Sequence, residues 1–317
     1  MTMSTTPEDD PGAVSAPGWT AADIPDLVGR TAIVTGGNSG LGFQTSRELA
    51  RHGAHVILTA RDAAKGAEAV EAIRTEQPEA SIETRLVDLA DLDTVTAFAD
   101  TVDQVDILIN NAGVMMPPRS ESAQGYELQF AVNHLGHFAL TGLLLDKLKS
   151  GRDPRVVTVS SFMHKRGRIH FDDLHGEHKY SRSGYYSQSK LANVVFGLEF
   201  HRRLRANGFT VASVLAHPGY SATNLQTSGP TGVAKLALKM SNKFMAQEAE
   251  MGALPQLYAA THPDIESGQF VGPNGRREQK GYPTLVEPLE AARDRELAKR
   301  LWDVSEELTG TDFGLAR

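Results

Sequence analysis

The chain has 317 residues, enough for one large α/β domain or two small ones. About 40% of the residues are hydrophobic, which suffices for a sizeable core, and a formal net charge of −7 argues against a general role in nucleic-acid binding. The absence of cysteine excludes disulfides and thiol chemistry and fits a reducing, cytoplasmic location.

The N-terminal residues 1–18 differ in composition from the rest of the chain. They are rich in Thr, Ser, Pro, Gly and Asp, and this composition predicts a disordered tail before a single domain at residues 19–317. The tail lacks the basic start and apolar core of a secretion signal. The longest apolar runs, such as residues 140–145, are too short to span a bilayer, so we expect no membrane anchor.

Short apolar runs rich in β-branched residues alternate with helical patterns along the chain. Strands are predicted at residues 31–35, 54–60, 82–89, 105–109, 155–159, 209–215 and 267–271, and helices at residues 62–76, 91–102, 120–148 and 287–308, with two more after Gly42 and around Tyr186. This alternation predicts a single doubly wound parallel sheet of the Rossmann type with helices on both faces. In such sheets, ligands bind beyond the carboxyl ends of the strands.

A glycine-rich turn separates the first predicted strand from the first helix. Its glycines have the spacing Gly-x-x-x-Gly-x-Gly, and the turn contains Gly36, Asn38, Ser39, Gly40, Leu41 and Gly42. Glycines let the backbone turn tightly and approach a ligand, and the helix N-terminus offers unpaired N–H groups and a positive dipole end. The pattern predicts a phosphate cradle for a nucleotide; an ordinary strand–helix turn is the alternative.

The end of the second predicted strand is the place where dinucleotide-binding folds select the adenosine ribose. An acidic residue there favours NAD, but this chain has Ala60 followed by Arg61. A guanidinium can pair with a 2′-phosphate, so the sequence favours NADP(H) over NAD(H), although Asp62 follows one residue later. The alternative is that Arg61 is a surface residue at a helix start.

Polar and glycine-rich stretches also follow the third and fourth predicted strands. Asp88 and Leu89 end the third strand, and Asn111, Ala112 and Gly113 follow the fourth. Because the carboxyl ends of parallel strands meet at one edge of the sheet, we expect these residues to lie beside the glycine-rich turn. Several such stretches at one edge favour a cofactor site more strongly than any one of them alone.

Tyr186 and Lys190 are four residues apart in a predicted buried helix, so they share one face. Two unit charges about 5 Å apart interact by roughly 3 kcal/mol at an effective dielectric constant of about 20, which is about two pKa units. The ammonium is therefore expected to lower the phenol pKa and make it an acid/base group, although desolvation opposes this shift. The spacing by itself is also compatible with a surface tyrosine and a solvated lysine.

Taken together and in this order, the motifs resemble the short-chain dehydrogenase/reductase family over roughly residues 29–272. The resemblance rests on Thr35, Gly36, Gly40, Gly42, Asp88, Asn110, Asn111, Ala112, Gly113, Asn133, Ser161, Tyr186, Lys190, Pro218, Gly219 and Thr223. It implies that the residues of the glycine-rich turn, Arg61, the ends of the third and fourth strands, and the Pro218-Gly219 pair bind the cofactor.

The resemblance also implies a role for each predicted catalytic residue. Tyr186 would be the proton donor or acceptor, and Lys190 would hold the nicotinamide ribose and lower the tyrosine pKa. Ser161 would hydrogen-bond the substrate oxygen, Asn133 would fix a water that relays protons past Lys190, and Thr223 would contact the nicotinamide carboxamide. Helices around Asn133 and Lys190 pair in many relatives, so a homodimer or homotetramer is also implied.

A narrower branch is indicated by the residues around Asn133. The sequences Gly-Tyr-Glu at 125–127 and Asn-His-Leu-Gly-His-Phe at 133–138 resemble the retinol-dehydrogenase-like group, which lies near the light-dependent protochlorophyllide reductases. The chain lacks the anchor helix of the membrane-bound retinol enzymes and the cysteines of the protochlorophyllide enzymes. Neither a retinoid nor a tetrapyrrole substrate is therefore assumed.

Three further segments bear on the substrate end. Residues 226–249 contain Met and Phe and predict a small substrate lid, with an amphipathic helix packed on the core as the alternative. Residues 287–308 predict a surface or partner helix. The histidines at 164, 170, 175 and 178 do not have the spacing of a zinc site, so no metal is expected.

The sequence thus predicts an NADP(H)-dependent oxidoreductase that moves a hydride between nicotinamide and a small-molecule carbonyl or alcohol substrate of apolar character. Two alternatives use the same fold: a nucleotide-binding regulator or scaffold, and a non-redox lyase or epimerase. Regulators on this fold commonly lose the tyrosine or the lysine, and this chain keeps both. Net consumption of NADPH would distinguish an oxidoreductase from a lyase or epimerase.

Overall fold

The computed structural model of the chain describes residues 18–220 and 249–316. At its centre is one eight-stranded sheet with the strand order β3-β2-β1-β4-β5-β6-β7-β8. The strands are β1 (Thr31–Val34), β2 (His55–Ala60), β3 (Ile82–Leu86), β4 (Ile107–Asn110), β5 (Arg155–Val159), β6 (Ala212–Ala216), β7 (Phe270–Pro273) and β8 (Pro283–Leu285). This order and the flanking helices confirm the predicted doubly wound sheet.

The last strand differs from the prediction. β1 to β7 run parallel, whereas β8 pairs with β7 in the antiparallel direction, with Val271 opposite Leu285. β8 has only three residues and begins with a proline, so its sequence carries no alternating pattern. An antiparallel edge strand on an otherwise parallel sheet is common in this fold class.

Helices cover both faces of the sheet. They are α1 (Gly40–Arg51), α2 (Ala63–Glu76), α3 (Leu92–Asp100), α4 (Leu128–Phe130), α5 (Gly136–Leu143), α6 (Leu145–Lys149), α7 (Arg182–Ala206), α8 (Ala249–Thr261) and α9 (Arg295–Thr309). Ala32 and Val34 of β1 pack into the core under α1, α2 and α8, while Ile33 packs into the core on the opposite face. Because both faces of the central strands are buried, these strands are mostly apolar, whereas the edge strand β3 carries Glu83, Thr84 and Arg85.

The helix predicted at residues 120–148 is wrong in its start and in its continuity. Gly125 adopts a φ of 81°, and a short bridge joins Glu121 to Glu127, so the chain before residue 128 forms a turn. The Glu127 carboxylate then accepts a hydrogen bond from the Phe130 N–H at 2.7 Å and caps α4. A π-helical turn at Ala131–Leu135 separates α4 from α5.

The C-terminal helix begins later than predicted and is part of the core. Pro288 disfavours a helical conformation for the residue before it, and α9 starts only after Asp294, whose carboxylate caps the Leu297 N–H at 3.0 Å. Trp302 is buried against Phe138, with ring centroids 5.2 Å apart. The predicted surface helix therefore contributes one of the largest buried side chains of the protein.

Several predictions fall on residues that the structure does not describe. These are the N-terminal tail except Gly18, the proposed lid at 226–249 except Ala249, and Thr223. Among the described residues, no helix combines the length and the apolar character needed to cross a bilayer.

Candidate active site

A cleft of about 1230 Å³ opens at the carboxyl ends of the N-terminal strands. Pockets for drug-sized ligands typically measure about 300–1,000 Å³, so this cleft has room for a dinucleotide. It is lined by the residues predicted to bind the cofactor, namely Gly36, Asn38, Ser39, Gly40, Leu41, Gly42, Arg61, Asp88, Leu89, Asn111, Ala112 and Gly113. The sheet brings these separate stretches together because each of them follows a parallel strand.

The glycine-rich turn requires its glycines. Gly36 and Gly40 have φ values of 63° and 55°, a region that other residues rarely adopt. A Cβ atom on Gly42 would overlap the carbonyl oxygen of Gly36. α1 starts at Gly40, and no side-chain hydrogen bond from Ser39 caps its first turn. The turn thus presents a helix N-terminus and closely approachable backbone to the cleft, which suits a diphosphate.

Thr35 ties the glycine-rich turn to the loop after β4. Its Oγ1 accepts hydrogen bonds from the N–H groups of Asn111 and Ala112, both at 2.9 Å. The Asn111 Nδ2 donates to the Thr35 carbonyl oxygen at 2.8 Å. The two cofactor-binding stretches are therefore held in register by a single threonine at the end of β1.

His137 was not singled out in the sequence, and it anchors this threonine. Its Nδ1 lies 3.1 Å from the Asn133 carbonyl oxygen and its Nε2 lies 2.9 Å from Thr35 Oγ1. Because a carbonyl oxygen only accepts, Nδ1 carries the proton and Nε2 accepts from the hydroxyl. Burial lowers the pKa of His137 to about 3, so the ring stays neutral. The available signal was a histidine one helical turn after Asn133 in an apolar run.

The predicted 2′-phosphate end of the cleft carries two basic side chains. Arg61 is exposed there, and Lys65, which was not among the predicted site residues, lines the cleft four residues later. Asp62, whose carboxylate weakened the sequence argument, accepts a hydrogen bond from the Lys65 N–H at 3.1 Å and caps α2. Its charge is therefore partly committed to the helix N-terminus.

Tyr186 and Lys190 lie side by side on α7 and are both buried. Burial raises the pKa of Tyr186 to about 12, and its hydrogen bond with Ser161 opposes that rise. Burial also lowers the pKa of Lys190 to about 8, and its Nζ donates to the Val159 carbonyl oxygen at 3.1 Å. The expectation that the lysine lowers the tyrosine pKa is therefore wrong for these side chains by themselves, because desolvation dominates.

Asn133 forms hydrogen bonds that hold the loop after β4 next to Tyr186 and Lys190. Its Oδ1 accepts from the Val114 N–H at 2.8 Å, and its Nδ2 donates to the Val114 carbonyl oxygen at 3.0 Å and to Ser189 Oγ at 2.9 Å. A Cβ atom on Gly113 would lie 3.1 Å from Asn133 Oδ1 and 3.7 Å from Lys190 Nζ. Asn133 and Lys190 thus lie next to the cleft-lining Gly113.

Pro218 and Gly219 follow β6, two strands from the cleft-lining loop after β4. They are not among the residues that line the cleft, and Thr223 lies outside the described part of the chain. Tyr186 and Lys190, which were also predicted to contact the cofactor, are likewise not among the residues that line the cleft.

The histidines near Ser161 do not form a metal centre. His164 Nδ1 lies 2.7 Å from the Ser161 carbonyl oxygen, and its Nε2 accepts from the Leu289 N–H at 3.3 Å. Within residues 18–220 and 249–316, no group of three or more acidic, histidine or cysteine side chains is placed to hold a metal ion. His164 therefore forms hydrogen bonds with backbone groups and stabilises the turn that follows β5.

Comparison with known proteins agrees with the geometry of the site. Residues 30–232, which run from β1 past the Pro218-Gly219 pair, match the family model described as short chain dehydrogenase. The chain belongs to the short-chain dehydrogenase family. Members of this family act on CH–OH and C=O groups, so the protein is an oxidoreductase.

Curated relatives place this short-chain dehydrogenase in the retinol-dehydrogenase-like branch. It is 40% identical to human (Homo sapiens) retinol dehydrogenase 13 over 296 residues, covering 90% of this chain and 86% of the relative. It is also 40% identical to mouse (Mus musculus) polyprenol dehydrogenase over 299 residues, covering 92% and 87%. The branch expected from residues 125–138 is therefore confirmed.

Solved structures give the same fold for this short-chain dehydrogenase. An uncharacterized protein from Mycobacterium paratuberculosis superposes with a TM-score of 0.80 at 45% identity, covering 94% of this chain and all of that one. A short-chain dehydrogenase from Shigella flexneri, complexed with NADP, superposes with a TM-score of 0.61 at 20% identity, covering 78% and 98%. The second comparison bears on the fold alone.

Proposed function

We propose that this short-chain dehydrogenase transfers a hydride between NADP(H) and a carbonyl or alcohol carbon of an apolar substrate, with Tyr186 as general acid and base. The proposal is supported by two observations: Tyr186 hydrogen-bonds Ser161 one helical turn before Lys190, and Lys190 lies beside Gly113, which lines a dinucleotide-sized cleft. The cofactor-binding residues are those that line the cleft, with Pro218, Gly219 and Thr223 proposed at its nicotinamide side.

In reduction, the coenzyme would supply the hydride to the carbonyl carbon when bound, and negative charge would grow on the carbonyl oxygen. Ser161 and Tyr186 donate hydrogen bonds to that oxygen, and each such donor is worth about 3 kcal/mol in a site from which water is excluded. Tyr186 then gives its proton to the oxygen. We assign Lys190 to the ribose hydroxyls and Asn133 to the support of the loop and of a proton-relaying water.

Preference for NADP(H) is supported by the charges at the far end of the cleft. Arg61 and Lys65 both reach it, while Asp62 is engaged as the cap of α2. A 2′-phosphate accepts hydrogen bonds from a guanidinium in a bidentate manner, and such charge-assisted bonds are stronger than neutral ones. The 2′-hydroxyl of NAD(H) carries no charge that Arg61 or Lys65 could pair with.

Replacing Arg61 with alanine is expected to raise the KM for NADPH by about 10- to 100-fold and to change the KM for NADH little, because hydrogen bonds to charged groups contribute about 1.5–3 kcal/mol. Steady-state kinetics with both coenzymes measures this. Arg293→Ala, which removes an exposed arginine paired with Glu287, is the matched control. An unchanged NADPH/NADH preference in Arg61→Ala would exclude Arg61 as the selector.

The buried pair predicts how activity depends on pH. Since the pKa of Lys190 in the free enzyme is about 8, its charge is lost as the pH rises through that value, and kcat/KM for NADPH should fall above about pH 8. Oxidation needs the tyrosinate, whose pKa of about 12 is raised by burial, so the oxidation rate should increase with pH. A kcat/KM for NADPH that stays constant to pH 10 would contradict the assignment of Lys190.

An apolar substrate is supported by the side chains that line the cleft beyond Gly113. Val114, Met115 and Pro117 line this end together with Leu128 and Val132. Methionine adapts to irregular apolar shapes, so this wall favours an elongated or flexible hydrocarbon over a polar metabolite. Two relatives carry the names retinol dehydrogenase and polyprenol dehydrogenase, and both names denote long apolar alcohols.

We also propose that the protein forms a homodimer or homotetramer and that it is cytoplasmic. Residues 185–197 of α7 are all buried within one chain, so this part of the helix offers no face to a second copy. A homodimer or homotetramer would therefore use other surfaces, and light scattering on the purified protein determines the state. A cytoplasmic location is proposed from the absence of cysteine.

A further inference from the structure

A row of hydrogen bonds outside the predicted catalytic group joins the turn after β5 to the turn after β6. The Gly219 N–H donates to His217 Nδ1 at 3.2 Å, and His217 Nε2 lies 3.0 Å from Glu278 Oε2. Lys165 Nζ donates to the other carboxylate oxygen, Glu278 Oε1, at 2.6 Å. Lys165 lies in the 3-10 turn Phe162–Arg166, which follows Ser161 directly.

The direction of every hydrogen bond in this row is fixed. A backbone N–H can only donate, so His217 Nδ1 is the acceptor, and Nε2 carries the proton that goes to the carboxylate. His217 is fully buried, and burial lowers its pKa, so the ring is neutral at pH 7. The hydrogen bond from His217 lowers the pKa of Glu278 to about 2, which keeps the carboxylate charged.

The backbone around Glu278 is held in a conformation that non-glycine residues rarely adopt. Arg277 and Glu278 have φ values of 55° and 56°. The Tyr220 N–H donates to the Gln279 carbonyl oxygen at 2.8 Å, and a Cβ atom on Gly219 would overlap that oxygen. Two left-handed residues in succession persist only where the surroundings hold them, and here they direct a carboxylate between two loops.

We propose that Glu278 is a positioning residue that sets the distance between Ser161 and the Pro218-Gly219 turn. In the proposed function, on which this inference rests, these two loops carry the donor to the substrate oxygen and the contact to the nicotinamide. Glu278 touches neither reacting atom. It acts through Lys165 on the loop after β5 and through His217 on the loop after β6. One carboxylate therefore holds both loops.

Glu278→Gln keeps the size of the side chain and removes the negative charge to which Lys165 and His217 both hydrogen-bond. We expect the Kd for NADPH, measured by fluorescence titration, to rise about tenfold and kcat to fall about tenfold, since hydrogen bonds to charged groups are about twice as strong as neutral ones. The matched control is Glu287→Gln, an exposed glutamate paired with Arg293 on the surface.

Lys165→Met removes only the hydrogen bond between Glu278 and the loop that follows Ser161. Its expected signature is therefore a split: kcat falls about fivefold, while the Kd for NADPH stays within about twofold of the parent. Lys299→Met, which removes an exposed lysine paired with Asp303, is the control for this variant. Because Lys165 is partly exposed, this substitution decides the question by itself if Glu278→Gln does not fold.

Two results overturn the proposal in distinguishable ways. If the parent enzyme is active and both substituted proteins match their controls in kcat and in the Kd for NADPH, Glu278 is only a surface ion-pair partner. If the parent neither binds NADPH nor reduces carbonyl compounds, the proposed function fails, and the positioning role fails with it.

Discussion

Tyr186→Phe is expected to lower kcat for carbonyl reduction by about 1,000-fold and to leave the Kd for NADPH within about twofold of the parent value. A positioned general acid contributes about 10²- to 10⁴-fold to the rate, and the same hydroxyl is a proposed donor to the developing oxyanion. The substitution removes one oxygen from a buried ring that is hydrogen-bonded to Ser161, so the helix and the cleft should keep their shape.

The adjacent tyrosine provides a matched control. Tyr185 is as buried as Tyr186, but its hydroxyl donates to the Asp173 carbonyl oxygen in the segment between β5 and α7. Tyr185→Phe should therefore retain kcat within a few-fold, with any loss appearing in thermal stability. Equal kcat values in Tyr186→Phe and the parent would remove Tyr186 from the mechanism.

Lys190→Met is expected to lower kcat/KM for NADPH by about 100-fold without lowering the melting temperature. The loss follows because the ammonium is proposed to hold the nicotinamide ribose. The stability follows because burial lowers the pKa of Lys190 from 10.5 to about 8, which makes its charged form roughly 3 kcal/mol less favourable in the folded protein. Methionine fills a similar volume without that penalty.

The pH dependence of stability provides an independent check on the same lysine. Between about pH 8 and 10, the unfolded chain binds the Lys190 proton more tightly than the folded chain does, so the free energy of unfolding contributed by this group rises with pH. Lys190→Met should lack this rise, whereas Lys299→Met on the surface should keep it. If the melting temperature of Lys190→Met lies several degrees below that of the parent, burial of the Lys190 charge does not destabilise the folded protein.

The parts of the site that could be predicted from the sequence are those that depend on residues close together in the chain. The glycine-rich turn is an example, since Gly36 and Gly40 have positive φ values and Gly42 has no room for a side chain. The central strands are mostly apolar because the sheet is buried there on both faces, and the carboxyl ends of the strands bring most of the predicted cofactor residues to one cleft. Each of these features is decided within a few residues of chain.

The features that the sequence did not predict depend on contacts between distant segments. His137 bonds to Thr35 across 102 positions, and Glu278 reaches Lys165 across 113, so no local spacing indicates either contact. The direction of the Tyr186 pKa shift was also missed, because it depends on how completely the fold buries the phenol.

Transfer of deuterium from NADPH that carries deuterium at both C4 positions of the nicotinamide ring tests the central claim most directly. Incubation with a panel of apolar aldehydes and ketones, followed by mass spectrometry of the alcohol products, measures it. The account predicts one deuterium on the former carbonyl carbon in the parent protein and almost no product with Tyr186→Phe. A converted substrate without deuterium would indicate lyase or epimerase chemistry, and NADPH binding without any turnover would indicate a regulator; either result would contradict the account.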